Sequence, residues 1–262
     1  MSITTVHIET LGDLIDRVTP ERPDPVTGRW RDAGVYRGSA DAGATLLTSL
    51  DRLGGGTPHS KTDLESHILR NFIRYSRPHL GREPANDWEH LVSAQHHGAP
   101  TRLLDWTYSP LVAAFFATRP GVDRDRVIWR LDWQRVHEKF SLPPRSLMPS
   151  ELGEMFEKGA HFSPWDLFEA KDRHTFAALI EPPSLDTRIV TQAAVFTLSS
   201  DKTMSFDRFL ETRGLEKALT KFTIAATDVA RIRDQLDLVG VDERRLFPDL
   251  DGVAASLRRY YG

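Results

Sequence analysis

Residues 95–118, QHHGAPTRLLDWTYSPLVAAFFAT, constrain the fold most tightly, because they set two histidines, an arginine and an aspartate between apolar runs with marked ends. Asn86 or Asp87 caps a helix in which Trp88, Leu91, Val92 and Gln95 keep the i, i+3, i+4, i+7 spacing, and Gly98 falls where a left-handed residue ends it. Pro100 bars continuation, so residues 101–106 are expected to run as a short buried strand. Ser109 then caps, and Pro110 opens, a second helix with Leu111, Ala114, Phe115 and Thr118 on one face. The order is helix, turn, strand, loop, helix, with polar groups gathered at the two corners.

The whole chain of 262 residues is 40% hydrophobic and 27% charged, which suits one large domain with a sizeable core. A net charge of −3 argues against a broad nucleic-acid or membrane footprint. Without cysteine there is no disulfide framework, thiolate nucleophile or cysteine-bound zinc. No apolar run approaches a membrane span and the N-terminal residues lack a signal-peptide pattern, so the expected setting is cytoplasmic, with no membrane partner.

Ile8, Leu11, Leu14, Ile15 and Val18 are spaced like a helical face, which predicts an N-terminal helical segment within about residues 1–25. Val35, Tyr36, Arg37, Gly38 and Ser39 read as a strand running into a glycine, where backbone can approach a ligand. Arg37 there can fork onto phosphate or carboxylate, or form an ordinary edge-strand ion pair. Glycines 54–56 mark a loop, and Thr62 with Glu65 forms a capping-box pattern for a helix burying Leu64, Ile68, Leu69, Phe72 and Ile73. Residues 126–131 alternate like a strand with one solvated face. A proline-rich helical and loop insertion spans about residues 137–184, of the kind that covers a site. Residues 187–198 regain strand character in two pieces around Gln192, which needs a hydrogen-bond partner if buried. Ser205 caps a helix ending near Gly214, residues 221–224 form a strand, Thr227 caps a helix through Val229, Ile232 and Leu236, and residues 246–252 turn into a last helix. One α+β domain covering residues 1–262 accounts for this order.

The chemistry narrows by subtraction. His96 and His97 are adjacent but no HExxH or His-x-His spacing completes a metal set, and a nuclease using either histidine would lack a visible ligand group. No GxSxG elbow supports a serine hydrolase, and no P-loop or GxGxxG turn supports the familiar nucleotide folds. What remains is a set of polar anchors on strands: Tyr36 to Gly38, Gln95 to Asp105 with Thr107, and Arg188 with Gln192. A buried network of Gln95, Arg102 and Asp105 that only fixes the fold is the structural alternative.

These residues carry a resemblance. Tyr36-Arg37-Gly38, then Gln95-His96-His97-Gly98, then Pro100-Thr101-Arg102-Leu103-Leu104-Asp105-Trp106-Thr107 and the alanine- and phenylalanine-containing residues 113–117 closely resemble the FRG domain family, with tyrosine replacing the phenylalanine of its namesake motif. Arg188-Ile189, Gln192, Phe196 and residues 246–252 look like its C-terminal landmarks. A more distant similarity, to ADP-ribosyltransferases, implies a split mixed or antiparallel β-sheet flanked by helices, with NAD as co-substrate in the cleft. On that template Arg37 would hold the NAD phosphates or ribose, Asp105, Trp106 and Thr107 would line the nicotinamide pocket, and Gln192 would stand near the usual glutamate. A neutral Gln192 is a departure, which makes Asp105 the candidate carboxylate. The resemblance thus implies Arg37, Asp105 and Gln192 as catalytic residues. Binding is expected from Tyr36, Arg37, Gly38, Ser39, Gln95, His96, His97, Thr101, Arg102, Trp106, Thr107, Arg188 and Phe196. The expected function is transfer of ADP-ribose to a protein, nucleic-acid or nucleotide acceptor, in a toxin or phage-defence effector with an antitoxin as candidate partner. The alternative is a non-catalytic nucleotide- or protein-binding module using the same cleft.

Overall fold

Strand-forming runs of Val, Ile, Trp and Phe, interrupted by capped helices, build an α+β fold around one mixed sheet. The computed structural model describes residues 2–25, 27–53, 61–81, 84–121, 123–152, 163–169, 175–182, 186–201 and 203–261. In chain order the elements are β1 (Thr4–His7), α1 (Leu11–Val18), β2 (Val35–Ser39), α2 (Lys61–Ser76), α3 (Asp87–His96), β3 (Leu104–Thr107), α4 (Pro110–Ala117), β4 (Arg126–Leu131) and α5 (Trp133–Lys139). There follow α6 (Pro164–Glu169), β5 (Ala177–Ile180), α7 (Thr187–Thr191), β6 (Ala194–Ser199), α8 (Phe206–Glu211), β7 (Leu219–Ile224), α9 (Val229–Leu238), α10 (Glu243–Leu246) and α11 (Leu250–Tyr261). The strand order is β1-β7-β4-β2-β3-β6-β5, with β1 parallel to β7 and every other pair antiparallel.

One face of the sheet, with Leu104, Trp106, Trp129, Leu131, Val195 and Leu179, packs continuously against Val136 of α5 and Phe209 and Leu210 of α8. The other face is covered in two halves. Tyr36, Ile128, Phe222 and Ile224 lie under α1, α4 and α9, while Phe196, Leu198, Ala178 and Ile180 lie under α2, α3 and α6. The seam between the two halves falls over β2 and β3, and it is there that the sheet opens.

Gly38 sets how closely α4 seats on β2. A Cβ on Gly38 would stand 2.0 Å from the carbonyl oxygen of Ala113 and 2.5 Å from the nitrogen of Ala117, both backbone atoms that no rotamer change can move aside. The sequence ending in this glycine is therefore a packing requirement as much as a ligand signal.

The local signals around α3 and α4 hold, whereas Ser205 precedes α8 without a side-chain cap bond. Asn86 accepts from Glu89 N at 3.0 Å to cap α3, Gly98 takes φ +82, and Ser109 accepts from Val112 N at 3.3 Å ahead of Pro110. The differences lie where tertiary partners compete. Residues 4–7 are a strand rather than part of the N-terminal helix, because β7 offers them a parallel ladder. β3 starts at Leu104, since the N–H groups of Thr101, Arg102 and Leu103 are taken by Ser49 Oγ, Glu65 Oε1 and Thr101 Oγ1 instead of a neighbouring strand. β4 has no solvated face: even Arg126 is buried, donating to Ala40 O. Inside the expected insertion at 137–184, residues 177–180 form β5, an edge of the sheet. Residues 187–191, expected as strand, are the helix α7 capped by Asp186, and only the second expected piece, β6, is a strand. α2 begins at Lys61, ahead of the expected Thr62 cap, and α9 follows Asp228 rather than Thr227. The glycine loop at 54–56 lies outside the described residues.

His137 ties α5 to the β5 edge. It is fully buried, its Nδ1 lies 2.8 Å from Pro143 O, and its Nε2 accepts from Leu179 N at 2.8 Å. The ring must therefore be neutral with its proton on Nδ1, and burial holds its pKa below the usual histidine value. The unfolded chain takes up the proton first, near pH 6.5, so this stabilisation is present above about 6.5 and is lost as pH falls toward the lower folded value. Urea midpoints of the wild type should fall on acidification below about pH 6.5, with a flatter slope in His137→Gln. Gly38→Ala should lower stability by about 3 kcal/mol or more, read as a lost or strongly depressed unfolding midpoint, because the clash is with backbone.

Candidate functional site

β2 and β3 are joined by a single residue pair, Tyr36 with Thr107, whereas β3 and β6 pair over four. Past that pair the strands diverge, and the guanidinium of Arg37 crosses the gap: its Nη1 donates to the carbonyl oxygen of Asp105 at 2.7 Å and lies 3.4 Å from the Asp105 carboxylate. A side chain thus supplies the link that the ladder omits. The opening is a cleft of about 560 Å³. Its floor comes from Tyr36, Arg37, Gly38, Asp105, Trp106, Thr107, Ala194 and Phe196 of the sheet. The walls are Gln95 and His96 at the end of α3, Phe116 and Arg119 at the end of α4, and Arg188 of α7 with Gln192 at its C-cap.

Arg37, Asp105 and Gln192 therefore share one cleft, which also takes in Tyr36, Gly38, Gln95, His96, Trp106, Thr107, Arg188 and Phe196. Ser39, His97, Thr101 and Arg102 are not among its lining residues. Ser39 turns back to Asp41, and His97 caps α3 with its ring edge-on to His96.

The Asp105 side chain is 53% exposed in the cleft, against 20% for Arg37. Gln95 Nε2 donates to Asp105 Oδ1 at 2.8 Å, while Gln95 Oε1 accepts from the buried Thr101 hydroxyl at 2.5 Å. The Thr101 oxygen also accepts from Leu103 N at 3.1 Å, so its single hydrogen goes to Gln95 and the Gln95 amide is oriented with its NH₂ toward Asp105. Burial lowers the pKa of Arg37 and the neighbouring Asp105 charge opposes that shift. At His96, burial and the charge of Arg188 favour the neutral ring, despite Asp186 Oδ2 lying 3.6 Å from its Nε2. The Tyr36 hydroxyl donates to Asp32, and burial with that carboxylate pushes its ionisation up, so it stays protonated.

Several expected ligand-facing groups are already engaged. Gln192 Nε2 donates to Leu246 O at 3.0 Å and the Gln192 backbone carbonyl accepts from Thr107 Oγ1 at 2.6 Å, which locks α7 to β3 and to α10. The Trp106 indole is directed into the opposite core, where Nε1 donates to Thr197 Oγ1 at 2.9 Å. Arg102 is a buried structural residue: Glu65, 1% exposed, accepts from Arg102 N at 3.0 Å and Nε at 2.6 Å. Glu65 had the appearance of a capping-box residue, and nothing local in the chain connects it with an arginine 37 positions later. The structural network anticipated for Gln95, Arg102 and Asp105 thus divides, with Arg102 buried beside α2 and the other two in the cleft. Phe116 and Arg119 also line the cleft, and their only signal in the chain is their position at the exit of α4. Among the described residues no group of three His, Cys, Asp or Glu side chains is placed to hold a metal ion, and no helix is long and apolar enough to cross a membrane.

Removing one member of a buried ion pair strands the other, so Glu65→Ala should cost about 3–5 kcal/mol in denaturant unfolding, with Glu65→Leu/Arg102→Met recovering much of it. No curated protein and no solved structure matches the chain. Residues 32–126, which carry β2, the α2–α3 pair, β3 and α4 and so most of the cleft around Asp105, match the model of the FRG domain.

Proposed function

We propose that the cleft binds NAD and that the protein is an ADP-ribosyltransferase acting on a macromolecular or nucleotide acceptor. The observation that carries this reading is the Asp105 carboxylate, exposed in the cleft and oriented from two sides by Gln95 and Arg37. When the nicotinamide–ribose bond breaks, its electron pair passes to the pyridinium nitrogen and positive charge develops at C1′ of the ribose. A fixed carboxylate favours that charge, and an acceptor nucleophile then bonds to C1′ and gives up its proton. The cleft volume, about 560 Å³, falls in the range of small-molecule and cofactor sites. The role that fits such chemistry is a toxin or phage-defence effector, with an antitoxin as its restraining partner.

A second reading, a nucleotide- or protein-binding module without catalysis, is favoured by Gln192. On the resemblance this residue would stand near the usual glutamate, and its side-chain NH₂ donates to Leu246 O. NAD labelled in its adenine half separates the two. The transferase reading expects nicotinamide release and labelled acceptor from the wild type, with Asp105→Asn slower by about 100-fold or more at an unchanged melting temperature. Saturable protection by NAD against thermal unfolding, with no nicotinamide released, selects the binding module.

A further inference from the structure

The resemblance assigns the NAD phosphates or ribose to Arg37, yet the Arg37 guanidinium is occupied in holding Asp105 across the open seam. Two other arginines of the same cleft are not so committed. Arg188 of α7 lies over the ring of Phe247 at 4.5 Å, and Arg119, just beyond α4, approaches that ring at 5.6 Å. Arg188 Nε is buried with no hydrogen-bond acceptor. Among the described residues neither arginine forms an ion pair; Arg188 feels Asp249 and Asp186 at longer range, and Asp186 sits against His96. Two guanidiniums gathered at one aromatic ring repel each other, and the ring faces offset only part of that. Burial and the charge of Arg119 accordingly weaken the hold of Arg188 on its proton. An anion between them would satisfy both forks and the orphaned Nε.

We propose that Arg119 and Arg188 form an anion subsite for the phosphate or pyrophosphate of a nucleotide, at the α4–α7 end of the cleft and separate from Arg37. Guanidinium forks match phosphate oxygens two at a time, which a lysine cannot do. Arg119 also lines a second cavity of about 700 Å³ beneath α10 and α11, so the subsite lies where the two spaces meet. Arg37 is then a positioning residue for Asp105. The proposal deepens the NAD reading, but anion binding does not require turnover.

The test is inorganic pyrophosphate, titrated by calorimetry and by thermal shift at low salt. Wild type should bind saturably, and Arg119→Gln and Arg188→Gln should each raise Kd by about tenfold or more, as expected for loss of charge-assisted hydrogen bonds. Arg188→Lys should fall between, and Arg31→Gln, an exposed arginine outside the cleft, should match wild type. Arg119 is exposed, so its variant reports on binding even if Arg188→Gln folds poorly. No binding by wild type, or equal binding by wild type and Arg119→Gln, overturns the subsite. Pyrophosphate binding lost in both variants while labelled NAD stays intact upholds the subsite and sinks the transferase. NAD turnover indifferent to Arg119 and Arg188 sinks the subsite alone.

Discussion

The structure depends on the contact of Arg37 with the backbone of Asp105. A seven-stranded sheet ordinarily coheres through its ladders, but between β2 and β3 the ladder is one pair long. The guanidinium closes the interval with a hydrogen bond at 2.7 Å and so lets the sheet stay continuous while its strands separate. The same contact holds the Asp105 carboxylate at the floor of the gap. Fold continuity and site geometry are therefore one constraint, and the absence of a Cβ on Gly38, next to Arg37, lets α4 press close enough to wall the gap.

Around this point a chain of hydrogen bonds orients the polar groups. The Thr101 hydroxyl orients Gln95, and Gln95 orients Asp105. Thr107 and Gln192 pin α7 to β3, and Gln192 reaches on to Leu246, drawing the C-terminal helices against the cleft. Rigid orientation of this kind is what an electrostatic site requires, since groups already in place need not reorganise when charge develops. The departures from satisfaction, an Arg188 Nε with no acceptor and two arginines at one phenylalanine, stand out against that background.

What could be read in the chain follows the range of the interaction. Asn86, Gly98, Ser109 and Pro110 mark helix ends because a cap is satisfied within a few residues, and the structure places α3 and α4 accordingly. Thr187 to Thr191 misled because Ile and Val there favour strands, whereas the Asp186 cap and the Gln192 tether to α10 hold them helical. Thr4 to His7 misled in the other direction, since a strand of four residues acquires its meaning only from the β7 ladder beside it. Arg102 shared a motif with Asp105 but is turned toward Glu65, a residue whose relevance no local pattern discloses.

The sequence by itself determined the α+β class and the helix–strand–helix unit of residues 86–117, and it marked Arg37, Asp105 and Gln192 as polar residues of interest, because caps, periodicity and residue chemistry act over one or two turns of chain. Only the tertiary structure decided which of those residues face a common space. Burial of Arg102, engagement of Gln192 by Leu246 and the meeting of Arg119 with Arg188 at Phe247 all depend on contacts between distant segments. A side chain has a fixed set of hydrogen bonds to give, and which partner takes them is settled by the packing of the sheet and its helices rather than by its neighbours in sequence.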